Sequence, residues 1–118
     1  MTSAGTNIEQ RSIVLVPFPF SDLSGGKKRP ALVVSNAEFN KKSEDVICCP
    51  ITSNPAAKYA IKITSKDMES GFLEFDSKIK PHRLFTVSKN IIYKILGKLN
   101  REKSSLVAKE ISKLIEMR

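Results

Sequence analysis

A chain of 118 residues that is 41% hydrophobic has the length of one domain and enough apolar content for a modest core. Its 20 Lys and Arg against 12 Asp and Glu leave a net charge of +8, which suits a polyanion such as nucleic acid or an acidic protein segment, although a plain solubilising surface has the same balance. No apolar run is long enough to cross a bilayer.

Met1 to Gln10 is polar and lacks the cationic start, apolar centre and cleavage site of a secretory leader. The expectation is a cytoplasmic protein with residues 1–10 as a disordered tail and 11–118 as the domain. Ser12 to Phe18 is apolar almost throughout and reads as a strand, ended by Pro17 and Pro19, which cannot donate to a ladder. Ser21 to Lys28 is a polar loop containing Gly25 and Gly26. It delivers Lys27, Lys28 and Arg29 to a second strand, Arg29 to Ser35, whose start Pro30 fixes in an extended form.

Ala37 to Asn40 reads as a short helical turn and Lys41 to Glu44 as a charged connection. Asp45 to Ile51 reads as a third strand, apolar on both faces. Thr52-Ser53-Asn54-Pro55 is a turn signal, followed by a half-exposed strand from Tyr59 to Thr64. Lys66 to Gly71 predicts a turn or short helix with Gly71 as its C-cap. Ser77 to Val87 reads as a fifth strand interrupted or kinked by Pro81, and Ile91 to Leu99 as a further strand with some helical character. From Arg101 the period becomes helical, with Asn100 as N-cap and Val107, Ile111, Leu114 and Ile115 on one face. Short strands closed by one helix predict a mainly-β α+β fold, a small curled antiparallel sheet packed by that helix.

Cys48 and Cys49 are adjacent, so in a strand they point to opposite faces and a disulfide between them would be strained. With a single His they do not have metal-site spacing, so no metal and no cofactor is expected. Small buried strand residues are the expectation for both, ahead of a catalytic thiol.

The stretch Ile13-Val14-Leu15-Val16-Pro17-Phe18-Pro19-Phe20-Ser21-Asp22-Leu23-Ser24-Gly25, leading into Lys28-Arg29-Pro30-Ala31-Leu32-Val33-Val34, resembles the opening of the MazF/PemK family of toxin endoribonucleases. Cys49-Pro50-Ile51-Thr52-Ser53 and then Ser77 to Val87 follow in that family's order and spacing, so the resemblance runs from Ile13 to Leu99. It implies an SH3-like small antiparallel barrel with a C-terminal helix. It also implies a homodimer, a cognate antitoxin with an acidic extended tail, and operator DNA reached through that antitoxin. The chain departs from the pattern at Arg11-Ser12, where the family usually has Gly-Asp. It departs again at Lys80-Pro81-His82, where some members have Arg-x-Asp.

RNA is cut without metal when its own 2′-OH attacks the neighbouring phosphorus, given a base, an acid and donors to the crowded phosphorane. Arg29 can grip two phosphate oxygens at once, and the resemblance makes it the central catalytic Arg; an ordinary surface Arg at a strand start has the same spacing. The resemblance gives the Thr52 hydroxyl a phosphate contact beside Arg29, with Ser53 in support, although Thr-Ser-Asn before Pro is equally a plain turn. An imidazole suits proton transfer near neutrality, which makes His82 the candidate acid or base, with the Lys80 cation two residues away, on the same face if the strand is regular. A solvated His82 beside a sufficient Arg29 and Thr52 is the competing reading. Lys27, Lys28, Lys58 and Arg83 are cations for tracking RNA, and Phe18, Phe20 and Phe85 could stack on unpaired bases, although such rings are more often core, the expectation for at least Phe18.

The expected function is therefore a metal-independent, sequence-preferring endoribonuclease toxin acting on single-stranded RNA. Its products would be 2′,3′-cyclic phosphate and 5′-OH ends. The alternative is a non-catalytic SH3-like module that binds nucleic acid or an antitoxin tail.

Overall fold

The computed structural model describes residues 7–17 and 27–118. In chain order the strands and helices are β1 (Ser12–Pro17), β2 (Lys28–Val33), α1 (Ala37–Lys42), β3 (Asp45–Thr52), β4 (Ile61–Ile63), β5 (Met68–Gly71), β6 (Ser77–Ile79), β7 (Phe85–Ser88), β8 (Lys94–Leu99) and α2 (Arg101–Leu114). The strands form one antiparallel sheet in the order β4-β6-β3-β2-β1-β8-β5, with β7 also paired to β3. The sheet curls into a half-barrel carrying α2 at the end of the chain.

β1, β2 and β3 read as near-continuous apolar runs because both faces of the central sheet are covered. Val14, Val16, Ala31, Val33, Val46 and Cys48 share one core with Val87 and Ile92. The alternate residues Ile13, Leu32, Cys49 and Ile51 face a second core completed by Val107 of α2. α2 starts where Asn100 Oδ1 accepts the Lys103 N–H at 2.9 Å, and it docks through fully buried Val107 with Ile111 packed beside it. Burial of one such side chain is worth about 1.5–3 kcal/mol, so Val107 is the anchor of the helix. Leu114 and Ile115, expected on the same face, remain exposed.

Several expectations are corrected. The fifth strand from Ser77 to Val87 is two strands, β6 and β7, divided at residues 80–84. Pro81 cannot donate to a ladder and its side chain is fully buried, while the Arg83 N–H closes a turn on the Lys80 carbonyl at 3.2 Å. α1 extends through Lys42, capped by Asn36 Oδ1 accepting from the Phe39 N–H. The stretch before Gly71 holds a short 3₁₀ turn, Ser65–Asp67, and then β5. Gly71 is therefore no helix cap. It ends β5 at φ 81, where an added Cβ would lie 2.3 Å from the Leu96 carbonyl oxygen. Of the expected tail, residues 1–6 lie outside the described residues, and Ile8 is buried in the first core.

Candidate active site

β2 and β3 pair through Ala31↔Pro50, Leu32↔Cys49 and Val33↔Cys48. The ladder ends at Ala31↔Pro50, two residues short of Arg29 on β2 and of Thr52 on β3, so both stand at the same end of the pair, and Thr52 pairs with Lys78 of β6. The register of a buried antiparallel pair is fixed by its apolar pattern, so the burial of β2 and β3 is what brings this Arg and this Thr to one end of the sheet. Both line a cavity of about 550 Å³, with Lys27, Lys28 and Ser53 also on its wall.

Arg29 Nε is buried and has no hydrogen-bond partner among the described residues. A buried donor is costly to leave unpaired in a folded chain, so this Nε is suited to an acceptor. Thr52 Oγ1 accepts the Asn54 N–H at 3.1 Å, and Asn54 Oδ1 accepts the Ala56 N–H at 2.9 Å. The plain-turn reading of Thr-Ser-Asn is thus realised, and it leaves the Thr52 hydroxyl proton able to donate to an incoming oxygen. At the rim Lys28 Nζ lies 4.8 Å from the centre of the Tyr93 ring, a cation–π contact that restrains the ammonium.

Lys80, His82 and Arg83 stand apart. The Lys80 N–H donates to the Pro50 carbonyl at 3.0 Å, which keeps Lys80 beside β3, but neither it nor His82 lines the cavity. The turn breaks the alternation that would have put the two on one face. His82 is exposed and stacks on Tyr59, with ring centroids 5.3 Å apart and planes at 26°. Tyr59 holds φ 57, an unusual left-handed conformation for an aromatic residue, and exposed Lys58 precedes it. Phe85 is half-buried against the first core, whereas Phe18, Phe20 and residues 21–26 of the expected loop lie outside the described residues.

Sequence reasoning missed four contributors. Lys78 Nζ donates to the carbonyls of Pro55 and Ala57, pinning the loop that follows Thr52. Phe72, Glu74 and Phe75, between β5 and β6, line the Arg29 cavity. Their available signal was an aromatic pair with no strand or helix period around it.

Burial pushes both Cys thiols up to about 12, helped at Cys48 by its neighbour Cys49. They are protonated core residues on opposite faces of β3. Among the described residues no cluster of three His, Cys, Asp or Glu is placed to hold a metal ion, and no helix is long and apolar enough to span a membrane.

The model of the family described as PemK-like, MazF-like toxin of type II toxin–antitoxin system matches residues 9–115. This chain belongs to that family. Among solved structures, a PemK/MazF-like half-barrel recurs in an endoribonuclease bound to its cognate antitoxin from a mycobacterial species (12% identity, 96% of this chain and 97% of that one, TM-score 0.74). It recurs in the Mycobacterium tuberculosis toxin MazF-mt6 (16% identity, 92% and 99%, TM-score 0.70). A MazE–MazF structure from Deinococcus radiodurans is similar to the same extent (18% identity, 94% and 98%, TM-score 0.74). No curated protein matches this chain. At such identities the likeness is one of fold, and the family model carries the membership.

Proposed function

We propose that this chain is the toxin of a toxin–antitoxin pair and a metal-independent endoribonuclease that cuts single-stranded RNA. The observation that carries the reading is the convergence of Arg29 and Thr52 on one open cavity in a chain of net charge +8. The structures named as endoribonucleases that share its fold support it.

In this reading the 2′-OH of one nucleotide attacks the adjacent phosphorus, its proton passing to water, and the 5′-oxygen of the next leaves and takes a proton from water. The products are a 2′,3′-cyclic phosphate and a 5′-OH. Arg29 takes the negative charge that builds on the equatorial phosphate oxygens, and a guanidinium already in place at a partly closed wall needs little reorganisation to do so. Thr52 donates its hydroxyl to the same group. Lys27, Lys28 and Ser53 hold flanking phosphates. Lys58, Lys80, His82 and Arg83 form a basic path for RNA beyond the cavity. An acidic antitoxin tail would compete for the same positive surface, and exposed Leu106, Leu114 and Ile115 of the α2 region offer apolar area for the implied homodimer.

Incubation with a long unstructured RNA in EDTA, followed by mapping of the cut ends, tests the proposal. Cuts at a repeated short motif with 5′-OH ends, absent in Arg29→Ala, are expected. Intact RNA that only shifts in a gel would instead favour the non-catalytic binding module, and 5′-phosphate ends lost on chelation would sink the mechanism.

A further inference from the structure

The Arg29 cavity is lined by Phe72, Glu74 and Phe75 as well as by its cations. The two rings are 69% and 62% exposed, while Leu73 between them is buried. A short connection that anchors one apolar side chain and presents two aromatic rings to solvent beside a cavity is built differently from a surface with scattered apolar residues. Glu74, between the rings in sequence, adds a carboxylate to a cavity whose other charged lining residues are Lys27, Lys28 and Arg29. That carboxylate weakens attraction for a phosphate, so its presence calls for a ligand group other than phosphate.

We propose that Phe72 and Phe75 stack on an unpaired nucleobase next to the phosphate held by Arg29 and Thr52, and that Glu74 selects guanine at that position. The inference rests on the RNA-cleaving reading above and names its specificity determinant. Stacking on aromatic rings accepts any base, because every base has a π face. Selection comes from the edge. A carboxylate only accepts hydrogen bonds, and guanine offers adjacent N1–H and N2–H donors that can meet both of its oxygens. Uracil offers a single N–H between two carbonyls, which repel the carboxylate. Phosphate contacts and base contacts then come from separate chain segments that line one cavity, as expected for recognition of a splayed single strand.

The test is direct binding, by fluorescence anisotropy, of 2′-O-methyl pentanucleotides U-U-X-U-U, in which X is guanine, adenine, cytosine, uracil or abasic. The 2′-O-methyl group removes the attacking hydroxyl, so the measurement does not depend on turnover. Wild type should bind the guanine probe about 5- to 100-fold more tightly than the abasic one. The double variant Phe72→Ala, Phe75→Ala should bring that ratio close to one. Phe72→Leu with Phe75→Leu, which keeps apolar bulk and removes the flat rings, should lose most of it, and Phe75→Trp should keep it. Glu74→Gln should lessen the preference for guanine over uracil while leaving guanine over abasic largely intact.

A wild type that does not distinguish abasic from guanine, or that prefers uracil, overturns the proposal. So does a double Ala variant with the full ratio, or Phe variants that lose binding of an acidic peptide but not of the probes. Cleavage with 5′-OH ends but no discrimination would leave the nuclease standing without this base site. Discrimination by a protein that never cleaves would leave the base site without the nuclease.

Discussion

Arg11 reaches from the start of β1 to β5 and β8 at once, donating from Nη1 to Glu69 Oε1 at 2.7 Å and to the Leu99 carbonyl at 2.8 Å. Its backbone is at φ 76, a left-handed conformation that favours glycine. The family's usual Gly-Asp at this point therefore has a backbone reason, and here an Arg accepts the unfavourable φ while its side chain ties three strands together. Arg11→Ala keeps the strained backbone and loses the bond to Leu99, so urea unfolding should show a loss of about 1 kcal/mol from that bond alone. Arg11→Gly loses the same bond but relaxes the backbone, and should come out the more stable of the two variants.

Acid should loosen the same corner. The hydrogen bond from Arg11 holds the Glu69 carboxyl below its ordinary value of 4.5, and the bond from Lys98 does the same for Glu9. Both groups bind protons more weakly folded than unfolded. Their contribution is therefore fully present above about pH 4.5 and is lost as pH falls through the lowered folded values. Both carboxylates lie at the surface, so the effect should shrink in high salt. Melting curves between pH 3 and pH 7 check this, and in Arg11→Ala the slope in the acid limb should be shallower.

The central strands and α2 were legible because their signals are local: apolar runs for β1 to β3, and an Asn cap followed by a 3.6-residue period for α2. The motif around them singled out Arg29 and Thr52, and the fold supplies what no local pattern states, that both line one cavity. Gly71 was misread since a helix cap and a close approach by a distant carbonyl both demand glycine, and the carbonyl belongs to Leu96. β5 and the Phe72–Phe75 wall were invisible for the same reason. The partner that makes Met68–Gly71 a strand is β8, a neighbour that comes later in the chain.

Gly97 sits where that later strand meets β5. An added Cβ would lie 2.4 Å from the Ser70 carbonyl oxygen and 2.9 Å from Gly71 Cα, both backbone atoms that cannot turn aside. Gly97→Ala must therefore push β5 away from β8, and a destabilisation of about 1–3 kcal/mol in urea is expected. Hydrogen exchange should show the loss concentrated in residues 68–71.

His82→Ala separates a proton-transfer role from a place on the RNA path. Loss of a general acid or base costs about 10²–10⁴ in rate. His82 stacks on Tyr59 outside the Arg29 cavity, so the variant should cleave RNA within about tenfold of wild type and lose mainly affinity. Single-turnover cleavage at saturating protein reads the chemical step apart from binding. A drop beyond a hundredfold there would return His82 to the chemistry.

Arg29→Met tests the central residue in two opposite directions. The buried Nε has no partner among the described residues, and a thioether of similar length replaces a donor that is costly to leave unpaired. Urea unfolding of Arg29→Met should therefore show stability equal to wild type or higher, by up to about 1–2 kcal/mol. Under the proposed mechanism cleavage should fall by about 10²–10³ or more, since the charge assigned to the phosphorane is gone. Arg29→Lys should restore little, because an ammonium cannot match the two-oxygen grip of a guanidinium. A more stable protein that no longer cuts RNA is what a residue kept for function at the expense of the fold predicts. A variant that is both less stable and still active would place Arg29 among the ordinary structural residues of β2.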